Sequence, residues 1–288
     1  MDLALAVLLQ ALSGISTLVI ISLGLAVIFG MMRVINLAHG EFLMLGGYSA
    51  ILAVQAGANI WVGILVVAPI VVGVVGLVVE RLLIRHLYGR MVDTMLATWG
   101  LSLALIGAVT MIFGDSVTGF SAPLGSLAIG GFRTSGYSLF LIVAALILVV
   151  ATWVVLRFTK LGLIARGTMQ NPEVAATLGV SPNRVYAITF TAGAALSGLA
   201  GGLIAPMSGV VPTMGTVYIA KAFITVITGG SAILAGTFSA SALLGTVSTF
   251  ATFLTTPVLG EVVLLIVAIV LLRLLPRGIT GRFFRGAL

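Results

Sequence analysis

Nine apolar windows follow one another with only short polar joints, near residues 7–30, 37–56, 61–84, 94–113, 138–157, 185–207, 217–235, 237–255 and 259–275. Each approaches the roughly 20 residues that a helix needs to cross the hydrocarbon core of a bilayer. In lipid a spanning segment must satisfy its own backbone N–H and C=O groups, so repeated windows of this length specify helices. The expected fold is all-α: a polytopic integral membrane protein of about nine spans, eight to ten, some broken or re-entrant, forming a single transmembrane domain over 1–288. Composition agrees, with 60% hydrophobic and 7% charged residues and a mean hydropathy of +1.30, values that a soluble domain does not need.

The 217–255 stretch decides the count. As one helix at about 1.5 Å per residue it would reach close to 60 Å, about twice the bilayer core. It is expected to turn near Gly236, and the Gly229–Gly230 pair marks a second break inside 217–235. Basic residues sit at the ends of windows rather than in a patch interleaved with aromatics. The +7 net charge therefore reads as positive-inside placement in a lipid bilayer, with no nucleic-acid partner. Arg81, Arg85 and Arg90 put the 85–93 loop in the cytoplasm, as Arg157, Lys160, Arg166 and Arg184 do for 158–184 and Arg273, Arg277, Arg282 and Arg285 for the C-terminus. The 114–137 loop and Met1 then face the opposite side. MDLALAVLLQ has an acidic residue and no basic n-region, so a cleaved signal peptide is not expected. There is no cysteine, hence no disulfide or thiolate chemistry.

One segment, residues 159–184, breaks the apolar train with polar character. Within it Asn171 is a good N-cap, Pro172 suits the first helical position, Glu173 places a negative charge in the first turn, and Gly179 ends a helix of about two turns. A short capped helix on the wet side of a membrane protein is a docking element. Catalytic signals are missing. Neither Lys160 nor Lys221 follows glycine, so there is no GK[ST] phosphate loop, and no H-E-x-x-H or G-x-S-x-G occurs. An intramembrane enzyme is poorly supported.

Several polar groups sit inside apolar stretches. Asn36, His39, Gly40 and Glu41 join the first two windows without a polar loop. His39 and Glu41 are costly against lipid, so they are expected to face protein or a water-filled path, with Gly40 opening a broken helix between them. The plainer reading is an interfacial cap by Asn36 with Arg33 paired to Glu41. Thr94, Thr98, Trp99 and Ser102 form a modest polar stripe, either lining a path or bonding between helices. Lys221 either snorkels or reaches the path, and Glu261 lies early in the last window. Gly198 and Gly202, with Gly193 and Ser197 repeating the spacing, read as a close helix crossing. LAHGEFLMLGGYSAIL (37–52) is faintly echoed by IAKAFITVITGGSAIL (219–234), as in the internal repeats of transporters.

FGMMRVINLAHGEFLMLGGY (29–48), RGTMQNPEVAATLGVSPNRVYAITFTAGAALSGLAGGL (166–203), KAFITVITGGSAILAGT (221–237) and RLLPRGITGR (273–282) resemble the bacterial permeases for branched-chain amino acids, over nearly the whole chain. DTMLATWGLSLAL (93–105) looks closer to the urea and short-chain amide branch of that family. The resemblance implies a subunit of an ATP-driven ABC importer in the bacterial inner membrane. Its partners would be a second homologous permease subunit, two cytoplasmic ATP-binding subunits and a periplasmic solute-binding protein. No cofactor is expected on this chain, with ATP and magnesium held by the partner ATPases. Importer permeases carry an E-A-A-x3-G docking pattern. Glu173, Ala175 and Gly179 match it, with Val174 in place of the first alanine, and Arg166, Asn171 and Pro172 flank it. Asn36, His39, Gly40, Glu41, Thr98, Lys221, Gly229 and Gly230 are the candidates for a path or hinge. The rival reading is a stand-alone ion-coupled secondary transporter or channel, for which Glu41 is the fair candidate ion site.

Overall fold

The computed structural model describes residues 2–129, 132–230 and 232–281. In chain order come α1 (Asp2–Met32), α2 (His39–Gln55), α3 (Ile60–Leu82), a 3₁₀ turn (Ile84–Leu87) and α4 (Met91–Phe113). An antiparallel hairpin of β1 (Ser126–Ile129) and β2 (Phe132–Ser135) leads into α5 (Gly136–Phe158). Then follow α6 (Lys160–Gln170), α7 (Pro172–Thr177), α8 (Pro182–Ser208), α9 (Met214–Gly229), α10 (Ile233–Leu254) and α11 (Pro257–Leu274). Among the described residues seven helices are long and apolar enough to cross a membrane: α1, α3, α4, α5, α8, α10 and α11. The two remaining windows became α2, of 17 residues, and α9, of 16. At about 25 Å each they fall short of a core about 30 Å thick. Both are short because the chain breaks beside them, at 33–38 before α2 and at Gly230 after α9.

Three sequence expectations are corrected here. The turn in 217–255 lies at Gly230, where φ is +87°, and not at Gly236, which is inside α10. Only glycine adopts that backbone readily. The 114–137 stretch, read as a loop, contains the hairpin, whose four-residue strands carry no spanning signal. The 159–184 segment holds two helices, not one, because Thr159 accepts a hydrogen bond from Gly162 N and starts α6.

The chain divides into two compact units: residues 1–22, 121–149 and 221–288, and residues 23–120 and 150–220. In the second unit α8 is the hub. On α2, a Cβ at Gly46 would lie 2.1 Å from Gly198 O, and one at Gly201 would lie 1.8 Å from Leu43 O. On α3, Gly76 meets Ala194 and Gly202 meets Ala68 and Ile64. Gly24, in the last part of α1, meets Gly193 and Ser197. In lipid, helices gain little from apolar burial against one another, so backbone approach at small residues carries the packing. Ile28, Val34, Phe42, Val72, Ile84, Phe190 and Ala194 fill one core cluster, with Phe42 edge-on to Phe190 at 6.1 Å. The turn at Gly63–Val67 in α3 is a π-turn just before Pro69. Proline lacks an N–H and its ring crowds the carbonyl four residues back, and a widened turn relieves that clash.

In the first unit α10 and α11 form an antiparallel pair in which Gly260 sits against Thr252 and Ser248. Gly245 meets Ile15 in the first part of α1.

Candidate functional site

The exposed segment 159–184 is built from local rules. Asn171 Oδ1 accepts from Glu173 N at 3.1 Å and from Val174 N at 3.0 Å, capping α7. At the other end Val180 N donates to Ala175 O and Gly179 N to Ala176 O, with Gly179 at φ +83°. This is a Schellman ending, which the glycine makes possible. Ala175 is the one residue of α7 turned inward; Glu173 is exposed, as are Val174 (52%) and Leu178 (79%). Leu161, Leu163 and Ile164 of α6 are exposed too. Arg166 is half-buried and its Nε reaches Gly162 O at 3.4 Å. The segment thus has rigid ends and apolar side chains left in the open. The sequence reading missed α6, although the Thr159 cap was there to be read.

The polar group near 33–41 lies in the second unit. Arg33 has φ +52° and ends the run of α1. Asn36 is fully buried; its Oδ1 accepts from Ala38 N at 3.0 Å, and its Nδ2 has no partner. Thr98 Oγ1, on α4, accepts from Leu37 N at 3.0 Å and donates to Thr94 O at 2.8 Å. His39 is buried with Nδ1 3.2 Å from Ser197 Oγ. That hydroxyl is directed at Gly193 O, 2.8 Å away, so the ring nitrogen is the donor of the pair. Glu41 is 1% exposed and neither carboxylate oxygen has a hydrogen-bond partner in bonding geometry, with Ser102 as its polar neighbour.

Two local expectations change. Asn36 makes a turn ahead of α2 rather than capping its first N–H groups, and Arg33 forms no ion pair with Glu41 among the described residues. Gly40 does not open the helix, since α2 runs unbroken from His39. Gly40 instead lets the start of α2 touch the start of α9, where a Cβ would lie 2.0 Å from Gly215 O. Thr94, Thr98 and Ser102 share one buried face of α4, whereas Trp99 is exposed.

Lys221 and Glu261, in the first unit, are joined to each other, with Nζ 2.6 Å from Oε1. Gly229 and Gly230 end α9, and the segment after α11 seals that end. Ile279 N donates to Thr228 O at 2.8 Å and Thr280 N to Gly229 O at 3.1 Å. The Thr280 hydroxyl donates to Gly229 O at 2.6 Å and accepts from Ala232 N at 3.1 Å. Sequence reasoning missed Thr280, because nothing in RLLPRGITGR says which distant backbone it meets. It also missed Glu80, which is buried and accepts from the Tyr88 hydroxyl. Arg282 and Arg285, counted above for sidedness, and Met1 lie outside the described residues.

The chain is similar to known proteins. The high-affinity branched-chain amino acid transport system permease protein LivH of Escherichia coli K12 is 27% identical over 283 residues, covering 93% of this chain and 92% of that one. The corresponding BraD protein of Pseudomonas aeruginosa is 28% identical over 285 residues, with the same coverage. The probable LivH permease of Methanocaldococcus jannaschii is 27% identical over 281 residues, covering 92% of this chain and 88% of its own. The structure of PsaBC from Streptococcus pneumoniae in complex with Fab matches with a TM-score of 0.51 at 14% identity, over 97% of this chain and 94% of that one, and so shares the fold. Residues 7–272 match the family described as branched-chain amino acid transport system / permease component. With that match over most of its length, and its train of membrane helices, this chain belongs to the branched-chain amino acid transport permease family.

Proposed function

We propose that this chain is one membrane-spanning subunit of an ATP-driven importer for small polar solutes, working by alternating access. It pairs with a second homologous permease subunit, two cytoplasmic ATP-binding subunits and a periplasmic solute-binding protein. It holds no ATPase site or cofactor of its own, and ATP and magnesium act on the partner ATPases. Branched-chain amino acids come ahead of urea and short-chain amides as the solute, because the LivH and BraD relatives carry that name over nearly their whole length.

The observation that carries the reading is α7: a helix fixed at both ends, standing in the open with Glu173, Val174 and Leu178 outward. Such an element transmits a push without absorbing it. Residues Arg166 and 171–179 are proposed to dock on the ATPase, and the group Asn36, His39, Glu41 and Thr98 to line or gate the solute path. Within the first unit the end of α9 meets the segment after α11, so α10 and α11 return the chain to the side on which α9 ends, and the orientation itself is taken from the arginine pattern.

The test is coupling. In the assembled importer, Glu173→Lys and Gly179→Leu should leave the permease inserted while ATP hydrolysis no longer drives solute uptake. Normal coupled uptake in both variants would sink the docking role. Retention assays on the cognate binding protein decide the solute, and co-purification of ATPase subunits separates this reading from a stand-alone transporter.

A further inference from the structure

A cleft of about 960 Å³ opens between the end of α3 and the first half of α8, wholly within the second unit. Arg81, Arg85 and Arg184 line it, all three exposed, and none of them makes an ion pair among the described residues. Its wall also holds two polar groups without full partners. Glu80 is 1% exposed, and its Oε2 has no hydrogen-bond partner. Thr191 Oγ1 is buried and likewise unpartnered. Glu80 is held in place because its other oxygen accepts from Tyr88, whose ring packs edge-on against Tyr186 at 4.9 Å. Burial, and then the bond to Glu80, push the Tyr88 phenol above its ordinary range, so it stays a donor. Ser181 and Asn183 stand beside Arg184, and the remaining flank is apolar, with half-buried Leu77 and exposed Ile188 and Ala192 on the membrane helices.

The chemistry of an occupant follows from these groups. Three guanidinium groups against one carboxylate call for an anion, and arginine suits phosphate oxygens. Glu80 calls for a donor and repels a doubly charged phosphate. The apolar flank calls for a hydrocarbon chain. The arginines stand at the cytoplasmic ends of α3 and α8 in the orientation proposed above, at the depth of lipid headgroups. We propose that this cleft binds an anionic glycerophospholipid of the cytoplasmic leaflet. Its phosphodiester lies among Arg81, Arg85 and Arg184, a headgroup hydroxyl donates to Glu80, and one acyl chain covers Leu77, Ile188 and Ala192.

The inference rests on the sidedness above but not on the solute or on coupling, so its failure leaves the transport reading intact. The experiment uses the purified importer complex, exchanged into phosphatidylcholine micelles doped with phosphatidylglycerol, and counts retained lipid by native mass spectrometry. Phosphatidylglycerol should be retained over phosphatidylcholine. Retention should fall about tenfold or more in Arg85→Gln/Arg184→Gln, since charge-assisted phosphate contacts are the strong ones. Ala192→Trp should displace the acyl chain at a position open enough not to disturb the helix pair. Glu80→Gln should narrow the preference for phosphatidylglycerol over phosphatidic acid. Equal retention in the arginine and Ala192→Trp variants, both shown to assemble, would overturn the proposal. So would displacement of the lipid by glycerol 3-phosphate alone, which would mark a free-phosphate site. A cysteine placed at Asn183 that cross-links to a partner subunit would overturn it as well, by showing protein in the cleft.

Discussion

The helical train breaks in two places beside short helices, before α2 and after α9, and the breaks are finished differently. At Gly230 the freed backbone is paired, and one side-chain atom, Thr228 Oγ1, is buried without a partner. Thr228 O, Gly229 O and Ala232 N all find partners in residues 279–280. At 33–38 the pairing is partial. Thr98 satisfies Leu37 N and Asn36 satisfies Ala38 N, but Asn36 Nδ2 and both Glu41 oxygens are buried without partners. Buried polar groups in folded proteins are almost always bonded, and in lipid an exception costs more. A sealed break is a structural joint. An unsealed one leaves buried polar groups short of partners, which fits the path or gate proposed above for this group. The two breaks therefore differ in how far their buried polar groups are satisfied.

The largest test of that contrast is Gly40→Val. The new Cβ would meet Gly215 backbone, not a side chain that can yield, so the cost exceeds the roughly 1–3 kcal/mol of ordinary overpacking. The expected result is loss of assembled protein from the membrane, read by detergent-solubilised yield. Gly100→Val, with nothing within 4 Å, should be tolerated. Normal assembly of the Gly40 variant would mean that the start of α2 is looser than drawn.

Next is Thr280→Val, which keeps shape and removes both hydroxyl bonds at the sealed break. It should cost about 1–3 kcal/mol, seen as a lower unfolding temperature, with solute preference unchanged. A changed solute preference would move Gly230 from joint to path.

Thr98→Val removes one acceptor at the open break. It should cost about 1 kcal/mol, near the upper part of the range for hydrogen bonds between membrane helices.

Glu41→Gln is the smallest in stability and the sharpest in meaning. Since neither oxygen is bonded, the neutral amide should leave the unfolding temperature unchanged or slightly raised, while solute uptake falls. A drop in stability comparable to that of Thr280→Val would reveal a partner at Glu41 and erase the difference between the two breaks.

Much of the fold was legible because single-helix crossing of lipid is a one-dimensional problem. The windows 94–113, 138–157 and 259–275 became Met91–Phe113, Gly136–Phe158 and Pro257–Leu274. The cap by Asn171 and the end at Gly179 were legible too, because each acts within a few residues. The hairpin was not, because no apolar run announces it. The start of α6 at Thr159 was as local as the Asn171 cap and was missed. In the candidate site the sequence named Asn36, His39, Glu41 and Thr98. It did not reveal that Thr98 holds Leu37 N or that His39 meets Ser197, 158 residues away.

The glycine pairs show where the division falls. Alone, the sequence determined a helical membrane protein, the positions of most spans, a capped helix outside them, and stretches 37–52 and 219–234 that echo one another, each with a Gly-Gly pair followed by Ser-Ala-Ile-Leu, with one tyrosine inserted in the first. Only the tertiary structure decided what each pair does. Gly46 and Gly47 stay helical because α8 lies against them, with Gly198 and Val210 in the space that side chains would take. At the end of their helix Gly229 lies against Gly236 and Thr237 and Gly230 against Arg277 and Gly278, and Gly230 takes the positive φ that lets the chain turn. Glycine itself prefers neither outcome strongly, so the neighbour that approaches its bare backbone makes the choice, and that neighbour is set by packing over long separations in sequence.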